Sequence, residues 1–249
     1  MPRIARVVAP GYPHHITQRG TNRTTIFLDD DDRTSFLFTL NQWTQRTGTR
    51  AWAYCLMDNH FHLLLEPLDD EGLGKCLHGV TFQYAQYFNR KYSRTGRLWE
   101  NRYFSCPVDK DEYLWSVVRY IERNPVRARI TKRVEDWKWS SGRAHISGTP
   151  DRAINLFSWL DKSERSDYAR FVSEEGKDDH IRKATSTGRP LGNSEFLEIL
   201  QGQLGRLLTP GKRGRPSTKK KGVVPNFNEM SSALNFTESF SSISGRKKE

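Results

Sequence analysis

The residues of this chain best spaced for chemistry are His60 and His62, one residue apart in Met57-Asp58-Asn59-His60-Phe61-His62-Leu63-Leu64-Leu65. The run reads as a buried strand, in which side chains alternate faces, so both imidazoles project to one side and Phe61 to the other. Two imidazoles held rigidly on one sheet face suit a divalent metal, because imidazole nitrogen is a good ligand for several such ions. Taken alone, the pair reads first as two satisfied core histidines, and only company elsewhere gives it a catalytic meaning. That company lies in Asp111-Glu112-Tyr113-Leu114-Trp115-Ser116-Val117-Val118-Arg119-Tyr120-Ile121-Glu122-Arg123-Asn124, where Tyr120 and Asn124 are four apart and share one face of a helix. Turned toward the histidines, this face would bring a phenol, an amide oxygen and two imidazoles together. Such a set suits phosphodiester attack, the phenolate acting as covalent nucleophile and the metal polarising the phosphate. Taken alone, Tyr120 reads first as a core or interface tyrosine. Glu122 falls on a different face and takes no role, and no general base stands out for a phenol whose free pKa is about 10.

The elements that must position these residues follow from periodicity and punctuation. Pro10-Gly11-Tyr12-Pro13 is a turn, and 14–18 reads as a short strand. Arg19-Gly20-Thr21-Asn22-Arg23 is a basic loop whose glycine would let backbone approach a ligand, so it is either a phosphate or base contact or an ordinary solvated loop. Asp29 to Asp32 cap a helix over about 33–46, with Phe36, Leu37, Leu40 and Trp43 at helical spacing. A strand over 50–57, with Trp52, Tyr54 and Leu56 alternating, turns at Asp58-Asn59 into the histidine strand as a hairpin. Leu73, Leu77, Val80, Tyr84, Tyr87 and Phe88 mark an amphipathic helix over about 72–92. An aromatic strand over 98–108 follows, then the helix of Tyr120 from about 112 to 123, stopped before Asn124-Pro125. The first six elements have the order βαββαβ of a ferredoxin-like α+β fold, an antiparallel sheet with helices on one face and the other left for a site. The added catalytic helix would pack beside the histidines.

Lys and Arg outnumber Asp and Glu by 40 to 29, and a formal charge of +11 on 249 residues points to a polyanionic partner, nucleic acid first. Three separated cysteines, Cys55, Cys76 and Cys106, suggest neither disulfides nor a zinc cluster. With no apolar leader in the first residues and no run of about 18 apolar residues, the expected location is cytoplasmic and nucleoid-associated, with no membrane partner. No Gly-rich phosphate loop is present, so no nucleotide cofactor is expected.

Three regions follow: 1–130 as the catalytic domain, 131–208 as a mainly helical extension packing on or beside it, and 209–249 as a basic, largely disordered DNA-binding tail. In the extension, Trp137, Trp139 and Trp159 punctuate polar sequence, and helices are expected over 163–179 and 194–208. In the tail, Arg213-Gly214-Arg215-Pro216 resembles an AT-hook, an extended segment for the narrow minor groove; a plain electrostatic tether is the other reading.

Met57-Asp58-Asn59-His60-Phe61-His62, Leu98-Trp99-Glu100-Asn101-Arg102-Tyr103, Val118-Arg119-Tyr120-Ile121-Glu122-Arg123-Asn124-Pro125-Val126-Arg127-Ala128 and Trp139-Ser140-Ser141 occur in the right order to resemble the single-tyrosine transposases of the histidine-hydrophobic-histidine superfamily. The subgroup most similar is the REP-associated tyrosine transposases, and the likeness runs over about 11–148. It implies that His60 and His62 bind Mg²⁺ or Mn²⁺, that Tyr120 is the nucleophile and that Asn124, where related enzymes carry glutamine, is the third ligand. It implies cleavage and strand transfer of single-stranded DNA beside hairpins of repetitive extragenic palindromes, through a 5′-phosphotyrosine link. A non-catalytic hairpin-binding protein that keeps the fold is the alternative. Arg19, Asn22, Arg23, Arg102 and Arg119 are candidate DNA contacts, duplex could engage the tail, and the chain would act as a monomer or homodimer.

Overall fold

The computed structural model describes residues 6–151, 154–205 and 207–208. Strand β1 (His14–Arg19) leads through a basic loop to helix α1 (Asp30–Arg46), then to the hairpin of β2 (Arg50–Met57) and β3 (His60–Glu66), helix α2 (Gly72–Lys91) and strand β4 (Phe104–Pro107). The strands form one antiparallel sheet in the order β2-β3-β1-β4, which with the βαββαβ sequence is the expected ferredoxin-like α+β arrangement. Helix α1 begins where extended Asp29 accepts a hydrogen bond from the Asp32 amide at 2.9 Å, and three aspartates in its first turn complement the positive helix end. Asp58-Asn59 closes the hairpin, with Met57 paired to His60.

The sheet separates two cores. On one face Ile16, Tyr54, Leu56, Phe61, Leu63 and Leu65 meet Phe36, Leu37 and Leu40 of α1 and Leu77, Val80 and Tyr84 of α2. The two helices approach closely at Gly79, where a Cβ would lie 2.1 Å from the Trp43 ring. On the other face Trp52, Cys55, Met57 and Leu64 meet Leu114, Val117, Val118 and Ile121 of α3 (Lys110–Glu122). The later chain adds α4 (Asn124–Arg127), α5 (Gly142–Ser147), α6 (Glu164–Ser173), α7 (Asp179–Thr187) and α8 (Ser194–Leu204). Tyr168, Val172, Ile181 and Leu191 of the 131–208 extension join the second core beside α3.

Helix α3 is fastened from behind by Glu122, which is fully buried. Its Oε1 accepts from Ser141 Oγ and His145 Nδ1, each at 2.6 Å, and its Oε2 accepts from Tyr168 at 2.6 Å. Ser141 in turn accepts from the Tyr54 amide at 3.1 Å, so the Trp139-Ser140-Ser141 motif ties β2, α3 and the extension together.

Several expected boundaries shift. The aromatic strand is only Phe104–Pro107, because Leu98 and Trp99 fold into the first core, where the Trp99 indole donates to the Thr81 carbonyl at 2.9 Å. A bulge between Ala51 and Ala53 turns Trp52 to the face opposite Tyr54 and Leu56, which breaks the expected alternation. Helix α3 does stop before Asn124-Pro125, as expected, and Pro125 then sits in the first turn of the short α4, where its missing N–H is not needed. The helix expected over 163–179 is the shorter α6, which ends at Ser173 before extended Glu174, and α7 begins only at Asp179, beyond the expected range; between them Gly176 lies so close to Arg119 that a Cβ would be 2.1 Å from its guanidinium. Helix α8 stops at Gly205, which adopts a left-handed φ of 59°, short of the expected 208. Residues 209–249, including Arg213, Gly214, Arg215 and Pro216, lie outside the described residues. Among the described residues no helix is long and apolar enough to cross a membrane.

Candidate active site

Strand β3 places His60 and His62 on the α3 side of the sheet, with Phe61 buried among the α1 and α2 side chains. The Asn59 amide donates to the Arg23 carbonyl at 3.2 Å, which orients its Oδ1 to accept from His60 Nδ1 at 2.7 Å. His60 therefore carries its proton on Nδ1 and keeps Nε2 bare. His62 Nδ1 lies 3.0 Å from Nε2 of His15, one strand over on β1. Burial lowers His15 to about 3 and, with the Arg19 and Arg127 charges adding to it, His60 to about 4. His62 is driven well below its usual value by burial and then by its histidine neighbours. All three rings are neutral at pH 7, the form that binds metals.

The other half of the site comes from α3 and α4. The Tyr120 ring sets its edge against His15 and His62 at centroid distances of 5.4 and 5.7 Å. The Arg127 guanidinium covers the Tyr120 ring at 4.1 Å and donates to Asn124 Oδ1 at 3.0 Å. The Asn124 amide nitrogen donates to the Tyr120 and Ile121 carbonyls at 2.9 and 3.0 Å, capping the end of α3. Asn124 Oδ1 thus has one lone pair engaged and one remaining. Among the described residues no three His, Cys, Asp or Glu side chains gather as a metal site.

His15, His60, His62, Tyr120, Asn124 and Arg127 line one cleft of about 820 Å³. Of the expected DNA contacts, Arg19, Arg23 and Arg102 line it too, with Arg19 paired to Glu100. Asn22 does not reach it; it holds a left-handed φ of 53° in the loop that carries Arg23. Arg119 also departs from expectation: its guanidinium packs at 4.1 Å on Phe171 and pairs with Asp178 at 3.8 Å, because its position on α3 faces the extension. Asp178 reaches Arg127 as well, at 3.6 Å, and Asp178, Asp179 and Arg182 close the cleft from the α7 side.

Besides these α7-side residues, four contributors carry no assignment from sequence: His15, Asn59, Arg127 and Thr185, whose hydroxyl lies 2.7 Å from His15 Nδ1. Two of them had signals. His15 shares the β1 face of Thr17, which pairs with His62, and Arg127 stands three and seven residues beyond Asn124 and Tyr120. Thr185 had none, since no local pattern tells which distant helix returns to the sheet.

The site thus joins paired histidines on one strand of a ferredoxin-like sheet to a tyrosine on the helix packed across that face. Residues 10–124 match the family described as Transposase IS200 like. A Haemophilus influenzae protein, named provisionally a REP-associated tyrosine transposase, is 24% identical over 147 residues, covering 52% of this chain and 84% of the relative. A solved structure of a REP-associated tyrosine transposase bound to a REP hairpin shares the fold, with a TM-score of 0.52 and 16% identity over 71% of this chain and 96% of that one.

Proposed function

We propose that this protein cleaves single-stranded DNA beside a REP-type hairpin and rejoins strands through Tyr120, with a divalent Mg²⁺ or Mn²⁺ ion held by His60, His62 and Asn124. The observation that carries the reading is the Tyr120 ring set against His62 inside one arginine-lined cleft. The donor set fits the ion: His60 and His62 are neutral, and Asn124 Oδ1 retains a lone pair. When bound, the ion would supply positive charge that polarises the scissile phosphate.

The chain's own groups do the rest. Tyr120 Oη gives up its phenol proton to solvent and attacks phosphorus, the bond from phosphorus to the 3′-oxygen breaks, and the freed 3′-oxygen takes up a proton from solvent and leaves as a hydroxyl. The product is a 5′-phosphotyrosine, and because one phosphodiester replaces another, the reverse reaction rejoins strands without a nucleotide cofactor. Arg127, over the Tyr120 ring, places positive charge beside the attacking group. Arg23 and Arg102 line the same cleft and would hold flanking phosphates. The hairpin substrate is suggested by the structural relative, whose bound DNA is a REP hairpin.

Incubating a labelled hairpin oligonucleotide with the protein and Mn²⁺ tests this. A covalent protein–DNA adduct is expected, abolished by Tyr120→Phe while hairpin binding stays within about tenfold. Cleavage without an adduct, surviving in that variant, would assign the attack to water. Binding with neither cleavage nor adduct, across several hairpins and both metals, would make the chain a non-catalytic binder.

A further inference from the structure

Beyond the residues of the proposed reaction, His62 is wired to the C-terminal extension. Its Nδ1 meets His15 Nε2 at 3.0 Å, and His15 Nδ1 meets Thr185 Oγ1 on α7 at 2.7 Å. All of these side chains are buried. The Thr185 hydroxyl has two further neighbours, the Ile181 carbonyl at 2.9 Å and Cys106 Sγ at 3.3 Å.

The hydrogen positions in this chain follow from the end where there is no choice. Two oxygens 2.9 Å apart need a hydrogen between them, and the Ile181 carbonyl has none to give, so the Thr185 hydroxyl donates there. Its one hydrogen is then spent, and both lone pairs accept. One takes the Cys106 thiol hydrogen, and the other takes a hydrogen from His15, which must sit on Nδ1. Neutral His15 then has a bare Nε2, so the hydrogen shared with His62 belongs to His62 Nδ1. His62 is left with Nε2 bare.

We propose that His15 and Thr185 are positioning residues that lock His62 in the Nδ1–H tautomer, presenting Nε2 as the ligand nitrogen, so that α7 of the extension completes a site whose other parts belong to the family-matched region. This rests on the reading of His60 and His62 as metal ligands. It gives the two histidines one common state, because Asn59 holds His60 in the same tautomer. Without the threonine hydroxyl, His15 loses its acceptor at Nδ1 and either ring can turn or change tautomer, which puts a proton on His62 Nε2 where the ion would bind. Outer partners of metal-bound histidines act in this way, fixing tautomer and ring orientation. The matched family region ends at residue 124, so the hydroxyl that ends the relay comes from a segment outside it.

The test uses the full chain, ¹⁵N-labelled at histidine, with Thr185→Val, Thr185→Ser and His60→Ala variants. In the metal-free wild type, ¹⁵N spectra should show His15 and His62 both protonated at Nδ1 and bare at Nε2. Thr185→Val should scramble or invert both assignments, and Thr185→Ser should restore them. Calorimetric titration with Mn²⁺ should show about tenfold weaker binding for Thr185→Val, near wild-type binding for Thr185→Ser, and loss of binding for His60→Ala. A wild-type His62 protonated at Nε2, or a Thr185→Val protein with unchanged tautomers, overturns the proposal. Wild-type protein that binds no Mn²⁺ overturns the ligand reading and with it the metal-orienting role of the relay, while the metal-free spectra still decide its tautomers. The two failures are therefore distinguishable.

Discussion

Removing the Glu122 carboxylate should loosen the extension from the helix of Tyr120. The side chain is fully buried and accepts from Ser141, His145 and Tyr168, all at 2.6 Å. Hydrogen bonds to a charged acceptor contribute roughly 1.5–3 kcal/mol each, and a buried donor left without an acceptor costs roughly 1–3 kcal/mol. Glu122→Ala orphans three donors at once. The terms do not add fully, because the three donors share one carboxylate. We expect a loss of about 4 kcal/mol, which for a chain of this size lowers the melting temperature by about 8–16 °C. Glu122→Gln keeps the shape but turns an NH₂ toward one of the donors, so it should cost about 2–3 kcal/mol and rank between alanine and wild type. Urea and thermal unfolding followed by tryptophan fluorescence measure both, with Glu112→Ala, on the exposed first turn of α3, as a control expected within about 0.5 kcal/mol. A Glu122→Ala protein within about 1 kcal/mol of wild type would refute the reasoning, since three buried donors cannot lose their acceptor so cheaply unless water replaces it.

Stability should also fall in mild acid. Burial lowers His14 to about 4 and His15 to about 3, so between pH 6.5 and those values the unfolded chain binds more protons than the folded one. Their contribution is complete above about pH 6.5 and drains away as pH falls, by about 2 kcal/mol each at pH 5; unfolding free energies that stay level from pH 7 to pH 5 would contradict it. Gly79→Ala should destabilise by about 1–3 kcal/mol, although alanine is the better helix former by about 1 kcal/mol, because the new Cβ would meet the Trp43 ring at 2.1 Å. A raised melting temperature in that variant would show that α1 and α2 can part without cost.

Most of what lies close in sequence was legible from it. Period-two alternation fixed the shared face of His60 and His62, and the four-residue spacing of Tyr120 and Asn124 fixed theirs, because strand and helix geometry are local rules. The hairpin at Asp58-Asn59 and the aspartate cap of α1 were legible for the same reason. Alternation failed at Trp52, where a bulge that no pattern announces reverses the face. The strand over 98–108 failed because burying Leu98 and Trp99 against α2 outweighed their extended preference.

By itself the sequence determined which side chains could do chemistry and which way each points on its own element. Only the tertiary structure decided what those side chains meet. It turned Arg119 to Asp178 and Phe171, set Arg127 between Tyr120 and Asn124, and brought Thr185 across the chain to His15. The reason is that hydrogen bonds between groups far apart in sequence are selected by the packing of whole elements, and in a buried site every donor and acceptor must be satisfied together.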